Sequence, residues 1–176
     1  SNIDHSGERL AADDQRRLRG RANQLWHTDN TFKQIPARCS LLSARELPDS
    51  GGNTQFADMR AAYAVLPEVR RRMTDGLIVE HSIFCSREKV GFTYFFEATR
   101  AALPPVPQVL VRQHAATGRN ALYLASYVSH VIGWPIDEGR RLLAELMDFA
   151  TQPVFVYKHV WREGDLIVWD NRYTMH

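Results

Sequence analysis

The sequence predicts a β-rich α+β fold in which a few helices interrupt a core of short strands. Three observations support it: short apolar segments end at turn clusters, one pair of segments is hairpin-like, and one segment has clear helical periodicity. A chain of 176 residues has room for one such domain, and a second complete domain is not expected.

The composition is that of an ordinary globular protein. Hydrophobic residues make up 44% and charged residues 24%, which excludes disordered, collagen-like and coiled-coil classes. No apolar run approaches the roughly 18 residues of a membrane helix, so no membrane partner is expected. The net charge of +2 is too even to favour nucleic acid. With two cysteines a disulfide framework is excluded, and a reducing cytoplasm is the expected location. The sequence leaves open whether the protein forms a homo-oligomer.

Strand-like segments occur along most of the chain. Residues 1–23 are polar and Arg-rich and are interpreted as a mobile lead-in or the remnant of a preceding part, whereas residues 24–176 form the predicted domain. Residues 84–108 are expected to be a long loop or insertion. The predicted strands are 25–32 (running into a turn), 39–44, 54–56, 77–82, 109–114, 121–124, 154–160 and 166–169.

Three helices have start and stop signals. Asp58 is placed to cap a helix over 59–66, and a second helix over 67–74 begins with a proline and ends before Gly76. The third covers 137–150 with Asp137 as its expected cap. Its apolar residues form one stripe at helical spacing: Leu142, Leu143, Leu146 and Phe149.

The first candidate site is the triplet His27-Thr28-Asp29. Residues two apart on a strand point to the same side, so His27 and Asp29 could present an imidazole and a carboxylate to one point. His176, which follows the last strand, is the candidate third ligand. Two histidines and one carboxylate suit a non-haem Fe(II) site. The triplet alone is a weak signal, and a surface turn with a capping Asp is the alternative interpretation.

Three ordered motifs make the signal much stronger. Together they resemble the taurine dioxygenase family of Fe(II)- and 2-oxoglutarate-dependent oxygenases, most closely the branch that degrades 2,4-dichlorophenoxyacetate. The resemblance spans residues 24–176. The motifs are Trp26-His27-Thr28-Asp29, residues 50–63 with the sequence SGGNTQFADMRAAY, and residues 164–172 with the sequence GDLIVWDNR, followed by His176.

The resemblance implies a fold and a set of roles. The fold would be a double-stranded β-helix, or jelly-roll, core with helical insertions, incomplete in this chain. His27, Asp29 and His176 match the family's iron ligands, and Thr54 matches the threonine that binds the distal carboxylate of 2-oxoglutarate. Residues 169–172 would support His176. The implied cofactors are Fe(II), the co-substrate 2-oxoglutarate and O2.

The sequence departs from the family pattern at both ends. The family places an arginine shortly beyond the second histidine, where it anchors the co-substrate, and the family's chains also begin earlier, with strands that help to close the barrel. We therefore expect this sequence to be an internal part of a longer protein. Alone, this part is expected to be inactive or poorly folded.

The implied substrate is a small anion, with an aryloxyacetate such as 2,4-dichlorophenoxyacetate favoured. Candidate cations for its carboxylate are Arg112, His114 and Arg172, and Trp26 could stack on an aromatic ring. The alternative substrate is taurine or another alkylsulfonate. Two further alternatives are a zinc-dependent hydrolase and a non-catalytic jelly-roll protein.

Overall fold

A helix occupies the end of the segment that the sequence marks as a lead-in. The computed structural model describes Ser6, Glu8, Leu10, Ala11 and residues 13–176; the prediction for residues 1–5, 7, 9 and 12 lies outside the described residues. Helix α1 (Gln15–Ala22) begins where the Asp14 carboxylate accepts a hydrogen bond from the Arg16 amide. This helix was not predicted from the sequence, although a capping Asp and arginines in the last turn favour it.

Helices alternate with short strands along the described residues, as the sequence predicts. None of the described helices is long and apolar enough to cross a membrane. The helices after α1 are α2 (Met59–Val65), α3 (Glu68–Thr74), α4 (Ile83–Glu88), α5 (Glu97–Ala102) and α6 (Ile136–Ala150). The strands are β1 (Cys39–Ser43), β2 (Thr54–Asp58), β3 (Ile78–His81), β4 (Val106–Val109), β5 (Val111–Gln113), β6 (Asn120–Leu122), β7 (Val128–Val131), β8 (Val156–His159), β9 (Leu166–Asp170) and β10 (Thr174–Met175).

The described strand pairings are antiparallel, and most of them join distant parts of the chain. Strand β1 pairs with β9, β2 lies between β10 and β8, β3 lies between β4 and β7, and β5 pairs with β6. The predicted hairpin is thus confirmed as β5 and β6. Because β10 pairs with β2, the residue that follows β10 is carried beside the early part of the chain.

Helix α6 covers the core with the predicted stripe. Leu142, Leu143 and Leu146 are buried on it, and Gly139 lies against Val131 of β7. The predicted cap is wrong: Pro135 is the N-cap residue, without a side-chain cap, and Asp137 lies in the first turn. An acidic side chain there still interacts favourably with the helix dipole.

Of the two interpretations of residues 84–108, the long loop is wrong, whereas the insertion stays a prediction. They contain most of α4, all of α5 and most of β4. Aromatic rings hold this part together: Phe95 contacts Phe84 and Phe92 with ring centroids 4.6 and 4.9 Å apart. Such packing between segments is not visible as periodicity in a short window, which explains the wrong prediction.

The two-stranded sheet of β1 and β9 exposes one apolar face. Leu41 and Val168 are directly opposite each other in the register and are 62% and 56% exposed. Leu166, two residues from Val168 and on the same face, is 61% exposed. We call these three side chains the β1–β9 apolar face. The other face of this sheet carries the buried Trp169.

Candidate metal centre

Main-chain hydrogen bonds bring His27 and His176 together. The His27 amide donates to the His176 carbonyl at 3.0 Å, and the His176 amide donates to the His27 carbonyl at 2.8 Å. The two imidazole centroids are 4.3 Å apart. The predicted strand over 25–32 is wrong, because this segment forms turns and bends rather than a ladder. The single reciprocal pair nevertheless fixes the two histidines side by side.

The turn that contains Asp29 is anchored by Thr28. The Thr28 hydroxyl lies 3.1 Å from the Leu124 carbonyl and 3.2 Å from the Thr174 carbonyl, and the residue is 2% exposed. Asp29 comes next, and its Oδ1 atom lies 3.6 Å from His27 Nε2. The same oxygen lies 3.4 Å from His176 Nε2. The structure therefore brings the three predicted side chains together.

A main-chain carbonyl sets the protonation of the His27 ring. His27 Nδ1 lies 2.8 Å from the Leu25 carbonyl, which can only accept a hydrogen bond. Nδ1 must therefore carry a proton, so Nε2, which faces Asp29 and His176, is the nitrogen of this ring that can give its lone pair to an ion. On His176, Nε2 is buried and has no hydrogen-bond partner among the described residues. Both Nε2 atoms are thus placed as electron-pair donors.

The donor set fits a divalent metal ion. One atom each from His27, Asp29 and His176 lie within 4.8 Å of one another, and no other such cluster is found in the described part of the chain. Two imidazoles and one carboxylate form the face that suits non-haem Fe(II), and the same set can hold zinc. The orphaned Nε2 of His176 supports metal binding, because a buried nitrogen without a partner is otherwise unfavourable.

Asp29 is held in its ionised form. The His176 imidazole, with that of His27 next, keeps the pKa of the Asp29 carboxyl far below its usual range, although partial burial acts in the opposite direction. The Tyr127 ring packs edge-on against His27 with centroids 5.8 Å apart, and burial raises the pKa of Tyr127 to about 12. The site thus offers a carboxylate beside a neutral phenol, and no motif or spacing in the sequence identifies Tyr127 as part of it.

A family model decides the kinship of this chain. The model described as "Taurine catabolism dioxygenase TauD, TfdA family" matches residues 2–176. The chain belongs to this family. The membership confirms the resemblance found in the three sequence motifs.

Individual members of the TauD, TfdA family are similar over most of the chain. An alpha-ketoglutarate-dependent 2,4-dichlorophenoxyacetate dioxygenase from Burkholderia sp. (strain RASC) is 49% identical over 176 residues, which are 100% of this chain and 59% of that protein. A crystal structure of AAD-2 in complex with Mn(II) and N-oxalylglycine is 45% identical, with a TM-score of 0.92 over 99% of this chain and 65% of that one. A taurine dioxygenase from Burkholderia xenovorans is 30% identical, with a TM-score of 0.73 over 88% of this chain and 50% of that one.

Two consequences follow from these similarities. They confirm the predicted jelly-roll core with helical insertions. They also show that this chain spans about three fifths of the length of the 2,4-dichlorophenoxyacetate dioxygenase that it matches, since it covers 59% of that protein.

A cleft opens beside the histidines of this TauD, TfdA family chain. Its volume is about 510 Å³, and His176, Thr54, Trp26 and Lys158 are among its lining residues. Thr54 Oγ1 accepts a hydrogen bond of 2.9 Å from the indole nitrogen of Trp161, so its own hydroxyl proton stays available to a ligand. The cleft thus joins the predicted co-substrate threonine to a predicted metal ligand. Lys158 is a cation that the sequence interpretation did not single out.

The three candidate substrate cations have other partners and are not among the residues that line this cleft. Arg112 lies 3.8 Å from the centroid of the Tyr123 ring and donates to Gln108 Oε1 at 2.9 Å. His114 Nδ1 contacts the Thr117 hydroxyl at 2.7 Å.

Arg172, the third cation, binds both oxygens of the Asp170 carboxylate. A role for these cations in substrate binding stays a prediction. Trp26, in contrast, does line the cleft.

Two residues at or just beyond the end of β9 contact different parts of the site. The Trp169 ring packs on His176 with centroids 4.7 Å apart, as expected of a residue that supports this histidine. Asn171 instead donates to Ser40 Oγ at 2.8 Å, and Ser40 contacts Asp29. Ser40 lies outside the family motifs, and an isolated serine carries no spacing signal, so the sequence offered no means to find it.

Proposed function

We propose that the protein containing this chain is an Fe(II)- and 2-oxoglutarate-dependent dioxygenase that acts on an aryloxyacetate such as 2,4-dichlorophenoxyacetate. The observation that carries the proposal is the convergence of His27, Asp29 and His176, whose donor atoms lie within 4.8 Å of one another. The similarity to a 2,4-dichlorophenoxyacetate dioxygenase at 49% identity supports the substrate class. The taurine dioxygenase named above is more distant at 30% identity.

Each residue of the site has a task in this reaction. His27 and His176 would bind Fe(II) through Nε2 and Asp29 through Oδ1, and they would leave about half of an octahedral shell open. Bound Fe(II), with 2-oxoglutarate and O2, supplies the oxidising power to hydroxylate a C–H bond, and 2-oxoglutarate leaves as succinate and CO2. Thr54 would donate its hydroxyl proton to the distal carboxylate of 2-oxoglutarate, and Trp26 would help to exclude water.

The product follows from where the hydroxyl group is placed. Hydroxylation of the carbon between the ether oxygen and the carboxylate gives a hemiacetal. The hemiacetal collapses to a phenol and glyoxylate, so one O2 and one 2-oxoglutarate are used for each phenol formed. The chain's contribution is to hold the ion, orient the co-substrate and shield the site.

The test is O2-dependent formation of succinate and phenol by the natural full-length protein. We expect turnover of 2,4-dichlorophenoxyacetate, and we expect His27→Ala and Asp29→Ala each to abolish it, because two ligands do not hold the ion in place. Phe96→Ala, a change at an exposed residue, is the control and should keep wild-type turnover. Wild-type turnover by either ligand variant would contradict the assignment.

The same assay separates the alternatives. Succinate release with taurine or another alkylsulfonate, but not with aryloxyacetates, would favour the second substrate class. A zinc hydrolase would give no visible charge-transfer band when Fe(II) and 2-oxoglutarate are added without oxygen, whereas the proposed oxygenase would. A non-catalytic jelly-roll protein would release no succinate with any substrate.

We also propose that the protein works in the cytoplasm on small molecules. The two cysteines, Cys39 and Cys85, are both free, which suits a reducing compartment. The balanced charge supports neither a nucleic acid nor a membrane as partner. Its oligomeric state is an outcome to measure.

A further inference from the structure

A chain of hydrogen bonds leads from the core to the candidate ligand Asp29. Ser40 Oγ lies 2.5 Å from Asp29 Oδ2, and Asn171 Nδ2 lies 2.8 Å from Ser40 Oγ. Asn171 is 1% exposed, and its main-chain amide donates a hydrogen bond to the Arg38 carbonyl at 3.0 Å. The relay therefore begins on a rigid support, where β1 and β9 pair, and ends on the carboxylate.

The protons of this relay have only one arrangement. The ionised Asp29 carboxylate can only accept, so the Ser40 hydroxyl must donate to it. The hydroxyl has one proton and has used it, so Ser40 can only accept from its other neighbour. Asn171 must then present its amide nitrogen to Ser40, and its carbonyl oxygen must point away. A fixed donor order of this kind favours one orientation of the carboxylate.

The orientation separates the two oxygens of Asp29. Oδ2 is taken by Ser40, whereas Oδ1 is the oxygen that lies 3.6 Å from His27 Nε2 and 3.4 Å from His176 Nε2. Only one carboxylate oxygen therefore faces the two histidines. A carboxylate free to rotate could turn both oxygens toward an ion and fill a further position of its shell.

We propose that Ser40, oriented by Asn171, is a positioning residue that restricts Asp29 to one ligand oxygen and so keeps a coordination position open for 2-oxoglutarate. This inference rests on the proposed function. It assigns to the β1–β9 pairing a task beyond folding, because Ser40 and Asn171 come from these two strands or their ends.

The test measures binding rather than turnover, in the natural full-length protein loaded with Mn(II). Titration calorimetry gives the dissociation constant for Mn(II) and then, at saturating Mn(II), the constant for 2-oxoglutarate. We expect Ser40→Ala to weaken 2-oxoglutarate binding by about 10-fold or more. Loss of a hydrogen bond to a metal-ligating side chain commonly lowers metal affinity or activity by roughly this factor. Ser40→Thr keeps the hydroxyl and should restore most of the affinity.

Two controls separate positioning from folding. Ser43→Ala changes an exposed serine on the same strand and should bind Mn(II) and 2-oxoglutarate as the wild type does. Circular dichroism and thermal unfolding check that each variant is folded. If Ser40→Ala does not fold, Ser40→Cys has nearly the same shape with a weaker donor and should weaken 2-oxoglutarate binding in the same direction.

The outcomes distinguish this inference from the proposed function. A wild-type protein that binds Mn(II) but no 2-oxoglutarate would overturn the proposed function. A wild type that binds both, together with a folded Ser40→Ala variant of unchanged 2-oxoglutarate affinity, would overturn the role of Ser40 alone.

Discussion

At the residue scale, burial decides the charge of His81. The side chain is fully buried, its Nδ1 lies 2.7 Å from the Thr31 hydroxyl, and its ring stacks on Tyr123 with centroids 5.7 Å apart. Burial lowers the pKa of His81 to about 3, and the nearby positive charge of Arg112 acts in the same direction. The imidazole is therefore neutral near pH 7.

This shift makes stability depend on pH in a defined window. An unfolded histidine titrates near pH 6.5, so between about pH 6.5 and pH 3 the unfolded chain binds a proton that the folded chain does not. Stability contributed by neutral His81 is thus present above that window and is lost as the pH falls, by up to about 1.4 kcal/mol per pH unit.

Urea unfolding at pH 7.5, 5.5 and 4.5 checks this, with each protein's value at pH 7.5 as its reference. His81→Gln should show a shallower decline than the wild type. An equal decline of the free energy of unfolding with falling pH in both proteins would contradict the role given to His81.

Residue types also explain which parts of the site could be predicted. His27, Asp29 and His176 carry chemistry that a spacing or a motif reveals, and the structure brings them together. Ser40 and Tyr127 act through position alone. Nothing in their local sequence distinguishes them from any other serine or tyrosine, so only the three-dimensional contacts identify them.

At the element scale, two helical glycines differ in whether they leave room for a side chain. A Cβ atom on Gly139 of α6 would lie 3.1 Å from the Val131 backbone nitrogen and 3.2 Å from its Cβ, whereas one on Gly20 of α1 would meet nothing within 4 Å. Val131 is fully buried in β7 and cannot move aside easily.

We expect Gly20→Ala to raise the free energy of unfolding by about 1 kcal/mol through helix propensity. Gly139→Ala should lower it by about 1 kcal/mol, because overpacking exceeds the propensity gain. Urea unfolding of both variants measures the pair. A stabilised Gly139→Ala would mean that α6 can shift away from β7.

Elements that a cap or a periodic pattern in their own sequence specifies were predicted. Elements that depend on contacts with other segments were not. Helix α2 has its predicted cap, since the Asp58 carboxylate accepts hydrogen bonds from the Arg60 and Ala61 amides. Helix α6 has its apolar stripe. Helices α4 and α5 have no side-chain cap, and contacts with other segments hold them: Phe84 of α4 packs on Phe95, and the Arg100 guanidinium of α5 lies over both rings. The segment 25–32 has strand-like residues, but its main-chain contacts with other segments, through Trp26 and His27, do not form a ladder, and the segment forms turns and bends.

At the scale of the whole molecule, the β1–β9 apolar face has a consequence for association. Leu41, Val168 and Leu166 are each more than half exposed on a sheet of two strands. Apolar side chains clustered on an open sheet face promote contacts between molecules. The 176-residue polypeptide on its own is therefore expected to self-associate.

Replacement of Leu41 and Val168 by lysine should reduce this self-association. The lysines remove apolar area, and their positive charges repel the same face of a second molecule. Sedimentation velocity at rising protein concentration measures it. Val69→Lys, at a residue that is 73% exposed on a helix, is the matched control and should leave the association unchanged. Equal association of all three proteins would show that another surface is responsible.

The reciprocal amide–carbonyl pair between residues 27 and 176 also bears on how the proposed iron would be bound and lost. The backbone, and not the ion, assembles the two imidazoles, so little conformational entropy remains to be lost when iron enters. Under the proposed function, the protein without iron would keep the two histidines side by side and would take up Fe(II) again without refolding.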